Sequence, residues 1–474
     1  MVDFLGYRRF MSDTPFDRRS ALSAMGGSLA LLPAAGCAES PRAPLGGGAS
    51  WVQFEDFGAV GDGQTDDSSA ILSALGSGER IVPNFATYAI GQEIALDHDG
   101  VCDLAGCVLK QAAGADLSSL VRVGISNRNS LLQSSSTVVV DGNRAQNVGD
   151  VTGVEVTKLK KALGQLVAAA QDCTTGIRIT DQVEYAKIAA HAENCDLAVH
   201  LRTDSRTTPD ELLLHVFAHD CGTFLRSEGT NKMSGTIFVS GEQCDNWGVE
   251  LGGIGWWQVL GMMRGCGKQG GGGLRVDGPN VRGELQIVGG HRENCEWGAD
   301  FVSGQSQGLA LSLAGRFARG VRVQGAMQGS LKLFIQNAPA EGAALTLGGG
   351  GEPLDGFHIE DGSRLFGGQR GVAVDIADCR NSFIGAGVLV GTCAISEQAY
   401  GNTVVVPRSS ALGRARFTNK RAQCDNRICL RGVYDLEELE RVNRGQAFLG
   451  MEAEMCRDFG MQRARFDGAK WVRA

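Results

Sequence analysis

The sequence predicts an all-β chain wound as a single-stranded right-handed parallel β-helix, a solenoid with an N-terminal capping helix and a small C-terminal cap. Three observations predict it. Apolar residues recur every 25 residues, at Val199, Phe224, Val249, Leu274 and Ala299, the step of one solenoid coil, which makes residues one period apart spatial neighbours. A polar residue followed by cysteine recurs at Asp172-Cys173, Asn194-Cys195, Asp220-Cys221, Gln243-Cys244 and Asn294-Cys295, with Gly265-Cys266 as a variant. The third is composition: 68 glycines against 10 prolines, with 6% aromatic residues, suit short strands joined by tight turns. A chain of 474 residues has room for several domains, but the repeat makes it one elongated domain.

Each apolar recurrence belongs to a short alternating strand, such as Val199-His200-Leu201, Val249-Glu250-Leu251, Leu274-Arg275-Val276 and Ala299-Asp300-Phe301. Flanking residues point inward and the middle one outward. The expected outward column is His200, Leu225, Glu250, Arg275, Asp300, Arg322 and Thr346. Its charges alternate in sign from Glu250 to Arg322, so cross-strand pairing accounts for it without a functional role. The cysteines behave as small buried apolar groups, and the polar residue before each satisfies turn backbone.

Two residues before each cysteine stand Glu193, His219, Glu242, Arg264 and Glu293. This column is the leading candidate for catalysis, because crowded carboxylates and imidazoles shift one another's pKa toward acid and base work. His191 and His291, four residues before their cysteines, fall on the same face, with Phe217, Ser240 and Met262 between them and His215 nearby. Glu193 and Glu242 lie two coils apart, about 9.5 Å, the upper limit for an inverting glycosidase pair. Trp247, Trp256, Trp257 and Trp297 sit in the same repeats and are candidate platforms for sugar rings.

A net charge of −8 and a pI near 5.5 give no basic footprint, so nucleic acid is excluded as a partner. An acidic surface also repels a polyuronate unless a cation such as calcium bridges the carboxylates, so either calcium or a less charged glycan is implied.

Residues 1–37 read as an export signal. Arg18-Arg19 before the small apolar stretch Ala21 to Ala35 resembles a twin-arginine signal, and Ala34-Ala35-Gly36-Cys37 resembles a lipoprotein box with Cys37 as the lipidated residue. Membrane association is expected only through that anchor, with the protein periplasmic, attached to the outer membrane or extracellular. Residues 38–50 form a Pro/Gly tether. The solenoid is expected over 51–407, interrupted by a helix near 155–171, where Val156, Leu159, Leu163, Leu166, Val167 and Ala170 fall at helical spacing. Residues 408–474 are expected to be a cap containing a helix within Tyr434 to Ala447 and a hairpin-like ending at Phe466 to Trp471.

The stretch Phe54 to Ile71, with Gly58, Gly61, Gly63 and the carboxylates Asp62, Asp66 and Asp67, resembles the opening segment of the pectate lyase and rhamnogalacturonase/epimerase-like β-helix superfamily. The resemblance implies a structural cap: glycine turns lead into a helix from about Asp67, capped by Thr65 or Asp66, that covers the open first coil. It also implies lyase or hydrolase chemistry on a polysaccharide. The polygalacturonase signatures Asn-Thr-Asp, Asp-Asp, Gly-His-Gly and Arg-Ile-Lys are missing from the repeat, where Gly289-Gly290-His291 is a partial echo. Pectate-lyase-like enzymes pair calcium-binding carboxylates with a basic residue, and Arg264 or Arg292 beside Glu242 and Glu293 matches that pattern in part. The alternative is a non-catalytic glycan-binding or surface-structural solenoid. The Asp467-Gly-Ala-Lys-Trp471 ending, which resembles that of some phage tail proteins, keeps this alternative in view.

Overall fold

Apolar alternation with period two gives each strand one face to bury, and the chain buries it by winding successive coils around a common core. A computed structural model describes residues 51–96, 104–124, 136–147, 149–159, 164–180, 183–203, 210–230, 232–289, 295–368, 371–411, 415–419, 426–434, 436–443, 451–457, 460–466 and 470–473. It is the expected parallel β-helix, with about 13 turns and 65% strand among the described residues. The predicted signal and tether, including Arg18, Arg19 and Cys37, lie outside the described residues.

Inward residues stack in files. Leu166, Ile188, Leu214, Ile237 and Val259 follow one another in register on one wall, all fully buried. Ile177, Val199, Leu225, Val249, Leu274, Ala299, Val321, Leu345 and Val374 do the same on another. Each large aliphatic member contributes ~1.5–3 kcal/mol of burial. The second file corrects the strict step of 25. Leu225, not Phe224, stands between Val199 and Val249, so Leu225 leaves the expected outward column and Arg226 takes its place. The coil from Val199 to Leu225 is one residue longer than the expected step of 25, and Phe224 is buried alongside. Its ring lies over Gly241, where a Cβ would come within 2.3 Å.

The turn ahead of each cysteine follows the expectation. Asp172, Asn194, Asp220 and Gln243 all have φ between 49° and 63°, and Gly265 has φ 60°. Asx-type side chains tolerate this left-handed geometry best among non-glycine residues. Cys173, Cys195, Cys221, Cys244, Cys266 and Cys295 are buried free thiols, and Cys221 pairs in register with Cys244. Burial and neighbouring thiols push several of them above the ordinary thiol range, so they are inert packing groups.

In the opening motif the carboxylates bond backbone groups of their own turns, and the N-cap of the helix is Asp67 rather than the expected Thr65 or Asp66. Asp67 accepts hydrogen bonds from the Val60 and Gly61 N–H groups, and Asp66 from Ser68 and Gly91. Asp62 accepts from Thr65 and Gln64, which hold its carboxyl below the usual range. The helix Ser68–Gly76 that follows buries Ala70, Ile71, Ala74 and Leu75.

Two expectations are overturned. The described residues of 155–171 are not a helical insertion. Val156 ends the strand Thr152–Val156, and Leu166, Val167 and Ala170 belong to the strand Gln165–Gln171, which pairs with strands of the coils on both sides. Apolar residues on two successive strands mimic helical spacing, and ladder hydrogen bonds on both edges decide for the strand. The repeat also does not stop at 408. Ala415–Asn419, Arg427–Tyr434 and Met451–Arg457 continue the parallel pairing, and only Gly460–Phe466 and Trp471–Arg473 are antiparallel. The expected helix is Leu436–Asn443, and the Trp471 indole N–H donates to Leu439 O at 2.9 Å. Inside the last coils, Ser382, Asn402 and Asn426 form a buried polar ladder. The Asn402 amide donates to Cys379 O, and the Asn426 amide to Ala399 O. These satisfy turn carbonyls that the core would otherwise strand.

Candidate functional site

The candidate face is built by Gln165–Gln171, Lys187–Glu193, Leu212–Cys221, Lys232–Cys244 and Ile254–Arg264, stacked in parallel register. Because successive side chains alternate in and out, residues two apart on each strand form parallel outward columns about 4.8 Å apart from strand to strand. One column reads Asp141, Gln171, Glu193, His219, Glu242 and Arg264. Four of the expected site residues are thus side by side. The position opposite Arg264 on the next coil is Val288, so the column ends there. Glu293 and His291 lie outside the described residues.

Alongside runs a floor of rings and aliphatic groups. His191, Phe217, Ser240 and Met262 form the next column, and His215, Phe238 and Leu260 the one beyond. His191 stacks on Phe217 with ring centroids 4.6 Å apart, and His215 packs on Phe238 at 4.7 Å. Burial lowers the pKa of both imidazoles, favouring the neutral form. In the first column, Gln171 donates to Asp141, and His219 Nδ1 is 3.2 Å from Asp220 Oδ2. Among the described residues Glu193, Glu242 and Arg264 make no ion pair. Glu193 and Glu242 stand two strand spacings apart, about 9.6 Å, with His219 between them.

The second column of charges is different. Glu155, Arg178, His200, Arg226, Glu250, Arg275, Asp300 and Arg322 follow in register on another wall. Arg226 donates to Glu250 at 2.6 Å, and Arg322 makes two bonds to Asp300, which also accepts from Gln324. His200 meets Glu228 at 2.9 Å. This is the structural ladder that the sequence suggested.

The four tryptophans do not share a site. Trp256 is 44% exposed on the candidate face, whereas its neighbour Trp257 is 1% exposed and belongs to the core. That corrects Trp257 as a sugar platform, since adjacent strand residues face opposite sides. Trp297 lies under the guanidinium groups of Arg319 and Arg322, with centroid distances of 5.0 and 4.6 Å. Trp247 is half-buried in a turn against Gly271.

Beside Trp256 lies a groove of about 370 Å³ that sequence reasoning missed. Ser234, Thr236, Gln258, Asn280, Arg282 and Glu211 line it. The available signal was strand parity, which places Ser234 and Thr236, then Trp256 and Gln258, then Asn280 and Arg282 outward on successive coils. Among the described residues no three His, Cys, Asp or Glu side chains converge in a way that would hold a metal ion, and no helix is long and apolar enough to cross a membrane.

No family model and no curated protein matches the chain. Its fold is similar to that of tailspike protein 3 of bacteriophage CBA120, at 13% identity over 90% of this chain and 69% of that one, with a TM-score of 0.48. It is also similar to the A-module of a mannuronan C-5 epimerase of Azotobacter vinelandii, at 14% identity over 79% and 93% of the two chains, TM-score 0.32. A third similar fold is PfbA, a surface adhesin of Streptococcus pneumoniae, at 10% identity over 90% and 98%, TM-score 0.24. At these identities the likeness is one of winding alone.

Proposed function

We propose that the protein is an exported β-helix that binds a polysaccharide along the Lys187–Arg264 face and cuts it, by lyase or hydrolase chemistry, at the column of Glu193, His219, Glu242 and Arg264. The observation that supports this reading most is the register that sets His219 between two carboxylates beside a floor of aromatic rings. A strand spacing of about 9.6 Å is at the upper end of the carboxyl separation that an inverting hydrolase uses to admit a water. In that reaction one carboxyl protonates the leaving oxygen and the other takes a proton from the water. For a lyase, His219 would remove a proton from the sugar ring as the glycosidic C–O bond breaks, a carboxyl of Glu193 or Glu242 would protonate the leaving oxygen, and Arg264 next to Glu242 would meet the substrate's charge; Glu193 and Glu242 are too far apart to share a calcium ion, and among the described residues no carboxylate cluster would hold one. A glycan-binding solenoid without chemistry is the second reading, favoured by the apolar character of the floor.

A panel of neutral and acidic glycans, assayed for new reducing ends and for ultraviolet absorption by unsaturated ends, tests the proposal. Reducing ends alone mean hydrolysis, and both signals together mean a lyase. Retention of a glycan with neither signal overturns the enzyme and leaves the binding protein.

A further inference from the structure

The groove beside Trp256 is separate from the Glu193–Arg264 column. Along the strand Lys232–Cys244, Thr236 in the groove and Glu242 in the column are six residues apart, about 20 Å. The groove crosses successive coils, with Ser234 and Thr236 on one, Trp256 and Gln258 on the next, and Asn280 and Arg282 on the one after. It therefore runs parallel to the column rather than into it.

Its chemistry is specific. One exposed indole supplies a flat apolar face, and side-chain amides and hydroxyls surround it. The polar groups are held in place: Ser234 Oγ bonds the Asp210 carboxylate and accepts the Glu211 N–H at 3.2 Å. Glu211 and Arg282 contribute one charge of each sign, so the groove has no net attraction for a polyanion. A planar ring face flanked by groups that both donate and accept fits a sugar ring with vicinal hydroxyls. The volume lies at the small end of ligand pockets.

We infer that this groove is an anchoring site for neutral sugar units, distinct from the column at which the glycan is cut. The inference rests on the reading that this face carries a glycan. A polymer long enough to span about 20 Å engages both sites, and a short oligosaccharide engages one. The anchor raises affinity for long chains without entering the chemistry.

The test compares wild type with Trp256→Ala, Trp256→Phe and Glu242→Gln on an array of neutral and uronic-acid-containing oligosaccharides graded from disaccharide upward. Trp256→Ala is expected to weaken retention of neutral glycans by about tenfold or more, and Trp256→Phe, which keeps a ring face, to restore most of it. Glu242→Gln is expected to leave that retention unchanged and to abolish product release. Unchanged neutral-glycan binding in Trp256→Ala, while the wild type still retains or cuts glycans, overturns the anchor alone. Wild-type retention of acidic glycans only overturns its neutrality. A wild type that neither binds nor cuts any glycan overturns the anchor together with the reading beneath it.

Discussion

Two columns of ionisable side chains climb the outside of this solenoid, and the protein treats them in opposite ways. From Arg226 to Arg322 the charges alternate in sign across neighbouring strands, Arg226 pairs with Glu250, and Asp300, 5% exposed, is wrapped by Arg322 and Gln324. From Glu193 to Arg264 the same kinds of side chain stand in the same kind of register, yet both carboxylates and Arg264 are left without ion pairs among the described residues. Paired charges spend their electrostatic energy on holding coils together. Glu193, Glu242 and Arg264 stand side by side with no such pairing among the described residues, which is why their column is the candidate site.

The sharpest break of this contrast is Asp300→Ala. It leaves Arg322 partly buried with its carboxylate gone, and a loss of about 2–3 kcal/mol is expected in urea unfolding, because hydrogen bonds to charged groups contribute ~1.5–3 kcal/mol. Glycan binding should be unchanged. Arg226→Ala is the milder version. Glu250 is largely buried but the arginine side chain is 42% exposed, so screening limits the loss to about 0.5–1 kcal/mol. A larger loss there than at Asp300 would reverse the ranking by burial.

The smallest expected effect is a pH slope. His191, His200 and His215 all titrate below the ordinary imidazole range, with burial as the main cause. The unfolded chain therefore binds more protons than the native one near pH 6.5. Their stability contribution is complete above that pH and is lost as pH falls through about 6.5 toward the lowered native values. The Tm should drop between pH 8 and pH 5, and His191→Gln should flatten the drop.

The winding was legible because a coil converts sequence period into contact, so Val199, Val249 and Leu274 needed no further information to be neighbours. Phase within a coil was harder. Phe224 and Leu225 are both apolar, and only the length of the intervening turn decides which one joins the file. The same ambiguity made two strands around Leu159 look like one helix. Glu193, His219, Glu242 and Arg264 were found through the fixed distance to a left-handed turn and its cysteine. Glu293, the next position by the same rule, lies outside the described residues, and Val288 stands opposite Arg264. The groove was missed because amides and hydroxyls spread over separate coils make no local motif. Trp256 against Trp257 was decidable in principle, since parity allows only one of two adjacent residues on a face.

The account stands or falls on a paired measurement of stability and glycan turnover in Glu242→Ala, His219→Ala and Asp300→Ala. The expected result is a split. The first two lose product release by about 10²-fold or more, as removal of an acid or base group does, with Tm within experimental error of wild type; Asp300→Ala loses stability and keeps turnover. If Glu242→Ala and His219→Ala instead unfold as easily as Asp300→Ala while cutting glycan at the wild-type rate, the Glu193–Arg264 column is structural and the proposed site is wrong.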